Sequence, residues 1–106
     1  MKTKNIFKEI PSTFKKEIFE NILLTENFKL ERILSKGHVT PPNEWYNQDQ
    51  NEWVLLLKGS ADLQIEGKKD WVHLAAGDYI LIPAHVKHRV EWTQKTEETI
   101  WLALHF

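Results

Sequence analysis

The sequence predicts an all-β domain, a small barrel or sandwich, preceded by one short helix. Three observations carry the prediction. Ala61, Leu63 and Ile65 alternate with Asp62, Gln64 and Glu66, the period-two pattern of a strand with one buried side. Seven or more short strand-like runs follow at close spacing with glycine and proline between them, the rhythm of a barrel or sandwich. Only one stretch, near the N-terminus, repeats its apolar residues at helical spacing.

That stretch comes first. Pro11-Ser12-Thr13 offers hydroxyl caps, and Phe14, Ile18 and Ile22 recur at i, i+4 and i+8 with Phe19 and Leu23 on the flank. A helix of about three turns cannot make a core alone, so its stripe must lie against something else. Phe28 to Lys36 then runs without a breaker until Gly37, and Thr40-Pro41-Pro42-Asn43 reads as a loop. Glu52 to Lys58 is a dense apolar run closed by Gly59, and Gly67 to Asp70 makes a hairpin turn between the alternating run and Trp71 to Leu74. Gly77-Asp78 is a further turn, and Pro83 ends the strand Tyr79 to Ile82 because proline cannot donate to a ladder. His88 to Trp92 alternates, and Thr99 to Phe106 supplies the last strand. The expected organisation is one domain over 1–106, with an N-terminal segment at 1–27 and a barrel at 28–106.

Composition narrows the function. With 14 Lys and Arg against 15 Asp and Glu, the formal net charge is −1, without the basic excess by which nucleic-acid binders release phosphate counterions. The longest apolar run, Trp53 to Leu57, is far too short to cross a bilayer. Cysteine is absent, which removes disulfides and thiol nucleophiles and leaves only nitrogen and oxygen donors for a metal. The N-terminus lacks the apolar stretch of about 7–15 residues that a signal peptide needs, so a cytoplasmic location is expected. No Gly-x-Ser-x-Gly elbow, phosphate-cradling glycine pattern or His-Glu-x-x-His helix occurs.

Two spacings point further. Glu52 and Gly59 are separated by six residues, and Gly77-Asp78-Tyr79-Ile80-Leu81-Ile82-Pro83 is followed, after four residues, by His88. Together they resemble the two motifs of the cupin superfamily, small jelly-roll barrels of the double-stranded β-helix type, over residues 28–106. The resemblance implies a bacterial-type single-domain cupin. It also implies a ligand or metal site at four positions, of which Glu52 and His88 match in type. Paired histidines expected at 46 and 48 are replaced by Tyr46 and Gln48. A glycine expected after the motif-two proline is His85, and an asparagine expected to close that motif is Trp92.

On a strand, Tyr46, Gln48 and Glu52 share a parity and therefore a face, and His88 would join them from another strand. One reading is a divalent ion (Zn²⁺, Ni²⁺, Mn²⁺ or Fe²⁺) held by Gln48, Glu52 and His88, with water or Tyr46 completing the shell. The other is a buried Glu52–His88 ion pair whose remaining lone pairs are hydrogen-bonded by Tyr46 and Gln48. If His88 points inward, alternation sends Trp92 inward too, with Trp45 in the loop entering the first motif as the next ring. His85 and His105 are further candidate ligand-binding residues. His38 lies near the expected entrance, with a surface role favoured, and His73 reads as structural. Trp53, Leu55 and Leu57 face away from the site, which calls for cover by a second sheet, the helix or another subunit, and apolar sheet surface of the Trp53 and Trp101 kind makes a homodimer the expected assembly. The leading functional expectation is a metal-binding cupin, an enzyme or not, on a small polar metabolite. A metal-free acid/base isomerase or epimerase, with Glu52 as base and His88 as acid, and a non-catalytic sensing module stand beside it.

Overall fold

The computed structural model describes all of residues 1–106. Eight strands form: β1 (Ile18–Leu24), β2 (Lys29–Ser35), β3 (Glu52–Lys58), β4 (Ser60–Ile65), β5 (Val72–Ala75), β6 (Tyr79–Ile82), β7 (His88–Thr93) and β8 (Thr99–His105). They make two antiparallel sheets, one of five strands in the order β1-β2-β8-β3-β6 and one of three in the order β5-β4-β7. No helix is present, so none is long and apolar enough to cross a membrane.

The expected N-terminal helix is therefore wrong. Phe14, Ile18 and Ile22 do fall at helical spacing, but Ile18–Leu24 instead pairs with β2 as an edge strand, Ile18 opposite Leu34 and Leu24 opposite Lys29. Three isolated helical turns are marginal in water. Phenylalanine and isoleucine suit a pleated surface at least as well, and an available sheet edge decides between the two. The residues before β1 form a strap without regular structure that crosses onto β2. Arg32 donates to the carbonyls of Ile6, Lys8 and Glu9, Lys36 donates to Ser12 O, and His38 donates through Nε2 to Phe14 O and Lys15 O.

Between the sheets lies a core built from inward-facing alternate residues: Ile33, Val54, Leu56, Ala61, Leu63, Leu74, Ile82, Val90, Trp101 and Ala103. Parity continues this face past the apolar stretch. On β2 it runs Glu31, Ile33, Ser35; on β3 Glu52, Val54, Leu56; on β8 Trp101, Ala103, His105. The same strands that bury aliphatic side chains in the middle of the barrel thus bring charged ones inside at one end. Gly59 makes the sharp β3–β4 turn at φ +92°, where an added Cβ would lie 2.7 Å from Thr99 Cα.

Candidate functional site

Register assembles the polar end. Glu52 and His105 are direct cross-strand neighbours on β3 and β8, and Glu31 opposes Ala103, one pleat along from His105. From the other sheet, His88 opens β7 and exchanges two backbone hydrogen bonds with Tyr46, at 2.8 and 3.1 Å. Glu31, Glu52, His88 and His105 are all buried, at 5–7% exposure, and buried charges of this kind must be paired.

They are paired two by two. His88 Nε2 lies 3.0 Å from Glu52 Oε1, and His105 Nε2 lies 2.7 Å from Glu31 Oε1. The other ring nitrogens settle the protons. His88 Nδ1 donates to Val86 O at 3.1 Å and His105 Nδ1 donates to Gln48 Oε1 at 2.9 Å, partners that only accept. Each Nδ1 therefore carries a hydrogen, and each Nε2···carboxylate contact holds one further proton between nitrogen and oxygen. The Tyr46 ring stacks on His88 with centroids 5.5 Å apart. Its phenol is pushed up to about 12 by burial and then by the surrounding carboxylates, Glu17 first, so it remains a neutral hydroxyl.

These groups line one end of a cavity of about 70 Å³ whose walls include Ile33, Val54, Leu63, Ile82, Val90 and Trp101. Glu17, the last residue of the strap, also lines it. Burial raises its carboxyl above the usual range, against the lowering effects of the Ser35 hydroxyl and of His38.

Of the residues singled out from sequence, Tyr46, Gln48, Glu52, His88 and His105 line this cavity. Trp92, Trp45 and His85 do not. A bulge in the β4–β7 pairing sets Asp62 opposite Trp92 but Leu63 opposite Val90. Glu91 is the extra residue, and it breaks the alternation that would have turned Trp92 inward. Trp45 lies outside under the Arg89 guanidinium, 5.9 Å from the ring centroid. His85 sits at φ +65° in a turn, its side chain 67% exposed and 4.0 Å from Asp49. His38 ties down the strap through Nε2, and His73 pairs with Asp62 on the surface at 2.7 Å. Glu31 and Glu17 were missed. Glu31 shares parity with the apolar Ile33, a charge on an inward face that signals a site. Glu17 gives no signal once its segment is read as helical.

The donor types suit a divalent ion, but their disposition does not. An ion needs several lone pairs converging on one point, about 2.1 Å from each. Here both nitrogens of each ring are engaged within the protein, and the contact linking the two pairs is His105 Nε2 to Glu52 Oε2 at 3.7 Å. No three His, Asp or Glu side chains are arranged to hold one ion. The expected set Gln48, Glu52, His88 and Tyr46 departs further, because Gln48 Oε1 is taken by His105 and the phenol of Tyr46 keeps its proton.

A jelly roll of two antiparallel sheets with a polar cavity at one end defines the class: a small barrel protein built around an internal site. The cupin domain family matches residues 31–105, and the chain belongs to it. Among solved structures it is similar to a protein from Ralstonia eutropha JMP134 at 41% identity and a TM-score of 0.95, covering 98% of this chain and 96% of that one. The role assigned to that protein, mannose-6-phosphate isomerase, is itself provisional. A cupin superfamily protein from Desulfitobacterium hafniense DCB-2 matches at 14% identity and TM-score 0.74, covering 92% and 83%. An RmlC-like cupin from Methanocaldococcus jannaschii matches at 16% and 0.71, covering 92% and 85%. These two likenesses are to the fold. No curated protein matches the sequence.

Proposed function

We propose that the chain is a metal-free proton-transfer enzyme, an isomerase of a small hydroxy-carbonyl compound. The observation that carries this reading is the pair of proton-sharing imidazole–carboxylate contacts, His88–Glu52 and His105–Glu31, facing one small cavity with apolar walls. Glu52 as carboxylate takes the proton from the carbon next to a carbonyl. His88 gives its Nε2 proton to the carbonyl oxygen, leaving a neutral enediol, and the reverse steps on the adjacent carbon complete the isomerisation. Apolar walls keep water out and strengthen each charge within. The isomerase role given to the similar Ralstonia protein supports the same reaction class.

The test is hydrogen–deuterium exchange at the α-carbon of small hydroxy-carbonyl compounds in D₂O, followed by NMR. The expected result is exchange that survives chelator treatment and falls about 10²–10⁴-fold in Glu52→Gln and in His88→Asn, the usual range for losing a general acid or base. Exchange abolished by chelation and restored by Zn²⁺ or Mn²⁺ would replace this reading with the metal-dependent one.

A homodimer is part of the proposal. The outer face of the five-stranded sheet sets Trp53, Leu55, Leu81, Leu102 and Leu104 in adjoining register with Tyr79, and Leu81 and Tyr79 are more than half exposed. None of these carries a charge, so a second copy docked about a two-fold axis brings no like charges together there. Sedimentation should show a dimer that Leu81→Asp disperses; a monomeric wild type overturns it.

A further inference from the structure

The cavity has a second polar feature, opposite in origin to the histidine cluster. Glu17 reaches it from the N-terminal strap, and its carboxylate is held in place. Ser35 Oγ donates to Glu17 Oε2 at 2.6 Å, and Trp101 Nε1 in turn donates to Ser35 Oγ at 3.1 Å. No donor of the protein reaches Oε1. The strap itself is fastened by Arg32, Lys36 and His38 to backbone carbonyls between Ile6 and Lys15. A chain that spends three cationic or imidazole side chains on a segment without regular structure fixes what that segment presents.

Charge decides what it presents to. Glu17, Glu31 and Glu52 all line the cavity, and neither lysine nor arginine does. Lys29 Nζ, 3.8 Å from Glu31 Oε2, belongs to a side chain 38% exposed and outside the lining. Phosphate and carboxylate ligands are bound through arginine, lysine or clustered backbone N–H groups. Glu31 and Glu52 each share a proton with an imidazole, so the Glu17 carboxylate, bonded by the neutral Ser35 hydroxyl, is the charge left to repel them.

We propose that Glu17 is the ligand-selecting residue of this cavity: its free oxygen accepts a hydrogen bond from a hydroxyl of a small uncharged hydroxy-carbonyl compound, and the cavity refuses phosphorylated or carboxylated analogues. The proposal rests on the reading of the cavity as the ligand site and narrows it to uncharged substrates, which sets this chain apart from a sugar-phosphate isomerase.

The Trp101 indole N–H, bonded into the Glu17–Ser35 chain, is the reporter. Its NMR signal, assigned with Trp101→Phe, is followed while dihydroxyacetone or dihydroxyacetone phosphate is titrated into wild type and Glu17→Gln, a variant that keeps the side chain's size and an acceptor for Ser35. Dihydroxyacetone should move the signal, with the phosphate at least tenfold weaker. In Glu17→Gln the affinity for dihydroxyacetone should fall about tenfold and the discrimination should narrow. Equal or tighter binding of the phosphate by wild type, no response to dihydroxyacetone, or unchanged affinities in the variant would overturn the proposal. The α-carbon exchange assay separates the two readings. Glu17-dependent binding without exchange defeats the proton-transfer reading alone. Exchange and binding that are both indifferent to Glu17 defeat this proposal alone.

Discussion

The Glu31–His105 pair offers the sharpest test of whether the polar end of the barrel serves the fold or the site. Both side chains are almost fully buried, at 7% and 6% exposure, and meet at 2.7 Å. Replacing Glu31 with leucine removes the partner of His105 Nε2 and leaves that nitrogen with Glu52 Oε2 at 3.7 Å as its nearest acceptor. Orphaning one member of a buried pair costs about 3–5 kcal/mol when the remaining group stays charged. Imidazole can shed its proton, so about 3 kcal/mol is expected. For a domain near 100 residues that corresponds to a fall in Tm of about 12–24 °C. The double variant Glu31→Leu/His105→Leu removes both charges and extends the apolar face of Ile33 and Trp101. It should lie within about 1 kcal/mol of wild type, since apolar replacement of a buried pair is often neutral or stabilising. Urea denaturation of wild type, both single variants and the double gives the coupling directly. A double variant that loses as much as the two single losses added together would refute the reasoning, because the two residues would then contribute separately to the fold.

Three further outcomes follow from particular contacts. Gly59→Ala should destabilise by about 3 kcal/mol in thermal unfolding, because at φ +92° its Cβ would sit 2.3 Å from Thr99 Oγ1 and 2.7 Å from Thr99 Cα. Glu17 has its carboxyl raised by burial, so the folded state binds its proton more tightly than the unfolded chain does. Stability should therefore decline as pH rises from the ordinary carboxylate range through the raised value, and urea midpoints against pH should show that decline reduced in Glu17→Gln. Arg32→Met removes the donors to Ile6, Lys8 and Glu9 and the 2.7 Å pair with Glu20; trypsin should then cut faster after Lys8, Lys15 and Lys16, while the barrel stays folded by circular dichroism.

The barrel was legible in the sequence wherever local pattern and tertiary environment agree. Ala61 to Glu66 alternates because one side of β4 is core and the other is not, and Gly59 and Gly77 sit at turns at φ +92° and +94°. The pattern failed where an equally good local solution existed. Residues 18–24 suit a helical stripe or an edge strand, and the choice is made by the exposed side of β2, which lies elsewhere in the chain. Within the site, Glu52 and His88 were read from motif spacing, whereas the inward turn of His105 needed the β3–β8 register. Trp92 shows the limit from the other side: parity counting fails across a bulge, and nothing local in His88-Arg89-Val90-Glu91-Trp92 announces one.

The departures from the family pattern are then a displacement of the polar site as well as a loss. Tyr46 and Gln48 stand where paired histidines are expected, and each now serves an imidazole, Tyr46 by stacking on His88 and Gln48 by accepting from His105. The second imidazole has moved to β8, opposite Glu52, and with it comes a second carboxylate, Glu31 on β2. A histidine beside an open position offers its lone pair to an ion; a histidine facing a carboxylate offers a proton. Two such histidines whose Nδ1 protons are fixed by Val86 O and Gln48 Oε1 can vary only the proton at Nε2. That restriction leaves each pair one mobile proton beside the cavity, which is what the proposed general acid–base chemistry requires of these side chains.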